Sequence, residues 1–243
     1  MPFSNMRVMP RAAATAIAAI STLGICETAN ASIIQYNSRA TFDALGPFTP
    51  VDWGVFGPAG TGISTPDTRT VGPITVRVAS SQGVLDRRDE GTDFTGTFAL
   101  GDHLLTDADS ESDSFIVGFD SPVRGFGTQI DSHFIIGPYT GSIEVFSPTN
   151  VLLFTANFSG NNTQAEDNSA PFVGVESNAK NIGYAAYLID QTDPNIPPKS
   201  GALAINTLDV SATVPEPSSL ALIASGLLGF LGLGLMKRKA ARA

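Results

Sequence analysis

Apolar and polar positions divide this chain into three regions. Apolar residues run almost without interruption over residues 12–25 and 220–236, and between these runs they alternate with polar residues. The alternation is clearest at residues 74–78, which read Ile, Thr, Val, Arg, Val. A period of two places successive side chains on opposite faces of a strand. The middle of the chain is therefore predicted to form β-strands that bury one face.

Short apolar or aromatic segments bounded by glycine, proline or acidic residues predict the remaining strands. The predicted strands are 33–36, 74–78, 94–100, 115–119, 123–130, 143–146, 151–156, 172–175, 182–189 and 202–210. One or two helical turns are predicted at 38–45, charged or acidic loops at 82–93 and 101–114, and a turn at 120–122. Many short strands without a long helical period predict an all-β domain, an antiparallel β-sandwich.

The N-terminal 31 residues have the form of a secretory signal peptide. Arg7 and Arg11 supply the basic region, and the apolar run at 12–25 follows it. Ala29 and Ala31 are the small residues of a cleavage site. We therefore expect export through the Sec translocon and removal of this segment by signal peptidase.

The C-terminal apolar run, residues 220–236, contains no charged residue. As a helix at about 1.5 Å per residue it would be about 26 Å long, at the short end for a bilayer core of about 30 Å. Lys237, Arg238 and Lys239 follow it directly. Basic residues favour the cytoplasmic side of a spanning helix. The rest of the chain is then predicted to lie outside the cytoplasm.

Two prolines flank an acidic residue just before this run, at Pro215, Glu216 and Pro217. Proline restricts its own backbone and that of the preceding residue, so an extended, accessible stalk is expected. The order of motif, short apolar helix and basic cluster over residues 214–243 resembles the PEP-CTERM sorting signal. The resemblance implies recognition by an exosortase-type membrane protease, a transient inner-membrane stage, and delivery to the cell surface or extracellular matrix. A permanent C-terminal anchor is the alternative.

These signals divide the chain into a signal peptide at 1–31, a domain at 32–213 and a sorting segment at 214–243. The domain holds 8 basic and 21 acidic residues, a charge of −13. This balance argues against nucleic acid and anionic lipid surfaces as partners. The only cysteine, Cys26, lies within the signal peptide, so the mature domain is expected to fold without a disulfide.

Parts of the domain resemble exported domains that carry this type of tail. The segment 118–127, with its alternating glycine and phenylalanine, and the late segments 172–175 and 204–208 carry the resemblance. It implies a jelly-roll β-sandwich related to carbohydrate-binding modules.

An acidic segment lies in the predicted loop at 101–114, where carboxylates alternate with other residues. Its acidic residues are Asp107, Asp109, Glu111 and Asp113. Carboxylates spaced in this way can bind Ca²⁺, a cation that prefers oxygen ligands. The spacing is not that of an EF-hand loop, and a solvated acidic loop is the alternative interpretation. No other cofactor is predicted.

A jelly roll presents a concave sheet and rim loops, where exposed aromatic residues can stack on sugar rings. Trp53 and Tyr139 are the main candidates, and Tyr184 and Tyr187 are the others. A tryptophan in a loop also commonly covers the edge of a hydrophobic core, and both interpretations apply to Trp53.

No sequence motif of a known catalytic site is present. His103 and His133 are the only histidines, and there is no Gly-x-Ser-x-Gly or His-Glu-x-x-His motif. A glycosidase needs only two suitably spaced carboxylates, and the sequence does not select a pair. The prediction is a non-enzymatic exported protein with a structural or exopolysaccharide-binding role. The alternative is a secreted glycan hydrolase that uses paired carboxylates.

Overall fold

A computed structural model describes residues 32–107, 114–133, 136–190 and 203–211. Over these residues the chain forms fifteen strands, one short α-helix and one 3-10 helix. The strands are β1 (Ile33–Tyr36), β2 (Thr49–Val51), β3 (Thr61–Ser64), β4 (Asp67–Val71), β5 (Ile74–Ser80), β6 (Val84–Asp89), β7 (His103–Asp107), β8 (Ser114–Val123), β9 (Gly125–Ser132), β10 (Gly137–Phe146), β11 (Leu152–Asn162), β12 (Phe172–Ser177), β13 (Ile182–Asp190), β14 (Leu203–Ile205) and β15 (Leu208–Ser211). The helices are α1 (Arg39–Asp43) and the 3-10 helix Trp53–Phe56.

The strands form two sheets. A nine-stranded sheet has the order β1-β12-β9-β14-β7-β6-β3, with β15 pairing to β9 and β2. A six-stranded sheet has the order β11-β10-β13-β8-β5-β4. All paired strands within the two sheets are antiparallel. The predicted all-β antiparallel sandwich is confirmed.

The hydrophobic core lies between the two sheets, and the alternating sequence pattern explains which side chains enter it. On β5, Val76 and Val78 are fully buried, whereas Arg77 between them is exposed. On β8, Phe115 and Val117 are buried in the same way. Each strand of the six-stranded sheet therefore directs one set of side chains into the core and the other set outward.

The outer face of the nine-stranded sheet is also covered. The segment 90–102, which we call the cover loop, packs Phe94 and Phe98 against residues of β7 and β14 in a second hydrophobic cluster. All eight residues of β9 are buried. A strand containing Gly, Thr, Gln and Asp can lie at the centre of the sheet because its polar side chains are hydrogen-bonded. Asp131 bonds to Thr97 of the cover loop, whereas Thr128 and Gln129 bond to Asn206 and Gln129 also bonds to Asn168.

The outer face of the six-stranded sheet is open to solvent in the described part of the chain. Arg77, Ile116 and Asp120 are exposed on it, and Ile116 is 39% exposed although it is apolar. A ligand can therefore approach this face directly, and the groove described below lies there.

The structure corrects several local predictions. Residues 94–100 are not a strand but the aromatic part of the cover loop. Strand β6 lies within the predicted charged loop, because Arg87 is buried and its charge is paired with Asp89. Strand β7 occupies the first half of the predicted acidic loop, and β8 continues through residues 120–122 before the chain changes sheets at Arg124.

The predicted signal peptide, with Ala29 and Ala31, and the C-terminal segment, with residues 214–243, lie outside the described residues. Within the part of the chain that the structure describes, no helix has the length and apolar character needed to cross a bilayer.

Candidate functional site

Four outward-facing residues form a row across four strands of the six-stranded sheet. Gly118 of β8 is aligned with Arg77 of β5 on one side and with Tyr184 of β13 on the other. Tyr184 is in turn aligned with Phe146 of β10. Since neighbouring strands lie about 4.8 Å apart, the Cα atoms of Arg77 and Tyr184 are separated by about 10 Å across Gly118. The glycine therefore leaves a depression between a cationic and an aromatic side chain.

This depression is part of a groove of about 580 Å³, which we call the β8 groove. Its floor is formed by outward-facing residues of β8, and its sides by β5 and by the start of β13 with Pro148 of the turn between β10 and β11. The lining residues are Arg77, Ala79, Ile116, Gly118, Phe119, Asp120, Pro148, Gly183 and Tyr184. The groove is concave, and its lining combines apolar surface with a few polar groups, as in most sites for small ligands.

The aromatic side of the β8 groove is held in place by stacking and a hydrogen bond. The rings of Tyr184 and Phe146 are stacked, with centroids 4.7 Å apart and an interplanar angle of 11°. The hydroxyl of Tyr184 donates to the side chain of Asn150. Because Phe146 covers one face of the Tyr184 ring, the opposite face is directed toward Gly118 and the groove.

The two glycines of the groove have different roles. A Cβ atom on Gly183 would lie 2.5 Å from the backbone nitrogen of Pro148, so any larger residue would displace the turn that forms one side. A Cβ atom on Gly118 would meet its nearest neighbour, the Cβ of Tyr184, at an ordinary 3.6 Å. The structure therefore has room for a Cβ atom at position 118, and the lack of a side chain there keeps the groove open.

The structure corrects the choice of sugar-stacking residues. Trp53 is fully buried, and its indole nitrogen donates to the backbone oxygen of Asn206 at 2.7 Å. Tyr139 is 1% exposed and donates to the backbone oxygen of Ile130 at 2.9 Å. Neither ring offers a face to a ligand, so Trp53 belongs to the core, which was its alternative interpretation. Tyr184 alone among the four candidate aromatics faces the groove, since Tyr187 is also fully buried.

The calcium prediction stays a prediction. Asp107 is buried at the end of β7, whereas Asp109, Glu111 and Asp113 lie outside the described residues. Among the residues that the structure describes, no group of three or more His, Cys, Asp or Glu side chains is arranged to hold a metal ion.

The two histidines lie in structural contacts. The Nδ1 atom of His103 is 2.6 Å from the Asp52 carboxylate, and its Nε2 atom is 3.8 Å from Asp89. His133 stacks on Phe94 with ring centroids 4.5 Å apart. Burial lowers the pKa of His133 to about 4, so it is neutral at pH 7. These contacts explain both histidines without a catalytic role.

A pair of carboxylates does occur, but it is closed to solvent. An oxygen of Glu90 and an oxygen of Asp131 would lie 3.3 and 2.7 Å from a Cβ atom placed on Gly96, so the two oxygens are at most about 6 Å apart. Glu90 and Asp131 are 1% and 0% exposed. Burial raises the pKa of both carboxyl groups, that of Glu90 to about 7. A polymeric glycan cannot reach this pair beneath the cover loop.

Hydrogen bonds explain why these two carboxylates are tolerated in the interior. Asp131 accepts from the backbone nitrogen and the hydroxyl of Thr97, both at 2.7 Å, and from the backbone nitrogen of Ser132 at 2.7 Å. Glu90 accepts from the backbone nitrogen of Gly96 at 2.7 Å. Asp131 thereby fastens the cover loop to the nine-stranded sheet, whereas the Glu90 bond closes the cover loop on itself.

Sequence reasoning named Tyr184 but missed Arg77, Gly118 and Asp120. The signal was present in part, because alternation on β5 and β8 already assigns these three residues to the face opposite the core. The pairing of β8 with β5 and β13 brings them beside Tyr184, and no local pattern records that pairing.

Solved structures similar to this chain include two carbohydrate-binding modules. A family 6 carbohydrate-binding module has 13% identity and a TM-score of 0.32, with 64% of this chain and 95% of that chain covered. The module CsCBM6-3 from Clostridium stercorarium, in complex with cellobiose, has 10% identity and a TM-score of 0.31, with 65% and 98% covered. A glycoside hydrolase family 43 enzyme from Bacillus subtilis has 10% identity and a TM-score of 0.30, with 67% and 43% covered. A comparison with curated proteins gave no match.

A family model described as the PEP-CTERM protein-sorting motif matches residues 213–239. The match contains Pro215, Glu216 and Pro217, the apolar run and the basic cluster that follows it. The match covers the C-terminal segment alone. The chain is thus an exported protein that carries a PEP-CTERM protein-sorting motif at its C-terminal end.

Proposed function

We propose that this is a non-enzymatic protein of the cell surface or extracellular matrix, and that its β-sandwich binds polysaccharide in the β8 groove. One observation carries the binding part of the proposal: the free ring face of Tyr184 beside the depression at Gly118. The sorting motif supports the location, because an exported protein meets polysaccharides outside the cell.

The chemistry of a sugar ring fits this arrangement. A pyranose has apolar C–H faces and a polar rim, so an aromatic ring can pack against a face while side chains at the edge bond to hydroxyls. Tyr184 supplies the aromatic ring, and Arg77 and Asp120 supply donors and acceptors at the edge of the groove. Stacking on Phe146 holds the Tyr184 ring before a ligand arrives, which reduces the entropy lost on binding.

Binding can be tested with the extracellular polysaccharide purified from the producing cells, by affinity electrophoresis or co-sedimentation. Gly118→Val fills the groove at a position where the structure has room for a Cβ atom, and Tyr184→Ala removes the stacking ring. We expect each variant to lose binding at least tenfold, while Tyr184→Phe keeps it. Thr155→Val, on the solvent face of β11 and outside the groove, is the matched control. Binding that survives Gly118→Val in a folded protein would refute the proposed site.

We also propose two processing events: signal cleavage after Ala31, and removal of the C-terminal helix near Pro215–Pro217 by an exosortase-type protease after a transient membrane stage. The intact mass of the protein from its native host tests both. A chain that begins at Ser32 and lacks residues 220–236 would support the two cleavages. A chain that retains Lys237 would instead indicate a permanent anchor.

A further inference from the structure

Nearly every cationic side chain that the structure describes is paired with a carboxylate. Ion pairs join Arg39, Arg69, Arg87, Arg88 and Arg124 to Asp209, Asp67, Asp89, Asp86 and Glu176. This is expected in a domain with 21 acidic and only 8 basic residues, where carboxylates are available almost everywhere on the surface.

Arg77 and Lys180 are the two exceptions among the described residues. Both are exposed, and neither has a described carboxylate within ion-pair distance. Arg77 lines the β8 groove. Lys180 lines a second depression, of about 250 Å³, which shares Asp120 with the groove. The two unpaired cations therefore lie along one continuous surface above β8.

The direction of this surface follows from the register. Ile116, Gly118 and Asp120 alternate along β8 on the solvent face, and the second depression continues beyond Asp120. From Ile116 to Asp120 the strand rises by about 13 Å, and the second depression extends the surface beyond Asp120. The site is therefore elongated and suits a segment of chain rather than a single sugar.

We infer that the β8 groove binds an anionic polysaccharide, a sugar chain that bears carboxylate groups, and that Arg77 is the residue that selects it. This inference rests on the proposed function and narrows its ligand class. The planar guanidinium of Arg77 can donate two parallel hydrogen bonds to one carboxylate, while the free face of Tyr184 packs against the sugar ring on the other side of Gly118. Lys180 then pairs with a carboxylate further along the sugar chain.

The overall negative charge of the domain does not prevent this binding. At physiological ionic strength the Debye length is about 8 Å, so acidic groups beyond the groove are largely screened from the ligand. A carboxylate in contact with Arg77 is screened far less. Asp120 is the carboxylate that lines both depressions, and it remains available to accept hydrogen bonds from sugar hydroxyls.

The test uses one polymer in two forms: the extracellular polysaccharide of the producing cells, and the same polymer after its carboxyl groups have been reduced to alcohols. We expect the native form to bind and the reduced form to bind at least tenfold more weakly. Arg77→Gln should reproduce that loss with the native form. Arg69→Gln changes the net charge equally outside the groove and is the matched control.

Three outcomes separate this inference from the proposed function. Equal binding of both forms, abolished by Gly118→Val but not by Arg77→Gln, would overturn the anionic ligand and leave polysaccharide binding intact. If Arg77→Gln abolishes the binding of both forms, Arg77 contacts the polysaccharide whether or not it carries carboxylates. That result would also overturn the selective role of Arg77. Binding of neither form would reject the proposed function, and this inference with it.

Discussion

The buried carboxylate of Glu90 predicts an unusual dependence of stability on pH. The residue is 1% exposed, and one of its oxygens accepts a hydrogen bond from Gly96 while the other has no partner among the described residues. Burial is the main cause that raises the pKa of Glu90 from 4.5 to about 7, and the nearby Asp131 carboxylate adds to it. The folded protein therefore binds this proton more tightly than the unfolded chain does.

The sign and size of the effect follow from proton linkage. Because the pKa is raised on folding, the stabilisation from protonated Glu90 is complete below about pH 4.5 and is lost as the pH rises through about 7. At about 1.4 kcal/mol for each tenfold change in proton affinity, the full loss is about 3 kcal/mol. This is a large part of the 5–15 kcal/mol that typically stabilises a domain.

Glu90→Gln removes the titrating group and keeps its shape, including an oxygen that can accept from Gly96. We expect the free energy of unfolding of the variant to equal that of the wild type near pH 4 and to exceed it by about 3 kcal/mol at pH 8. Urea unfolding at several pH values measures this difference. The fluorescence of Trp53, the only tryptophan and a fully buried one, reports the transition.

Glu144→Gln makes the same chemical change on β10, outside the buried pair, and serves as the control. A pH dependence that the two variants shared would not come from the burial of Glu90. A Glu90→Gln difference that stays constant from pH 4 to pH 8, or a variant that is the less stable protein at pH 8, would show that burial does not raise the pKa of Glu90.

Three further outcomes test other parts of the structure. Trp53→Phe should lower the free energy of unfolding by about 2–3 kcal/mol in urea titrations followed by circular dichroism, because a buried hydrogen bond to Asn206 and ring volume are lost, yet leave polysaccharide binding unchanged. Gly183→Ala should cost about 1–3 kcal/mol by the same assay, because its Cβ atom would overlap the backbone of Pro148; an unchanged midpoint would contradict the close contact. His133 should stay neutral down to about pH 4 when its ring protons are followed by NMR, because burial lowers its pKa; titration near pH 6.5 would contradict its burial.

Local patterns predicted most of the strands because alternation is a property of the strand itself. Strands β5 and β12 appear where the sequence predicts them, and α1 lies within the predicted helical turns. The prediction of a strand at 94–100 was wrong for a physical reason. Its residues Phe94 and Phe98 pack into a second hydrophobic cluster on the outer face of the nine-stranded sheet. There they cover polar side chains, and the segment forms no strand of the sheet.

The opposite error occurred at β6, where a strand was predicted to be a loop because of its charged residues. Five consecutive charged residues at 86–90 indicate a loop, because ions avoid the interior. Arg87 is nevertheless buried, since Asp89 pairs with it and the neighbouring strands β3 and β7 occupy both edges. That compensation comes from contacts that a local sequence pattern does not contain.

The sorting motif and the all-β class were determined by the sequence alone. Both are local: a contiguous C-terminal motif at residues 213–239, and an alternation that each strand carries independently. The burial of Trp53 and Tyr139 was decided only by the tertiary structure, as was the groove that joins Arg77 to Tyr184 from positions about 100 residues apart. The reason is that alternation assigns a side chain to one face of its strand, whereas strand pairing and sheet packing decide which face is open to solvent and which residues meet there.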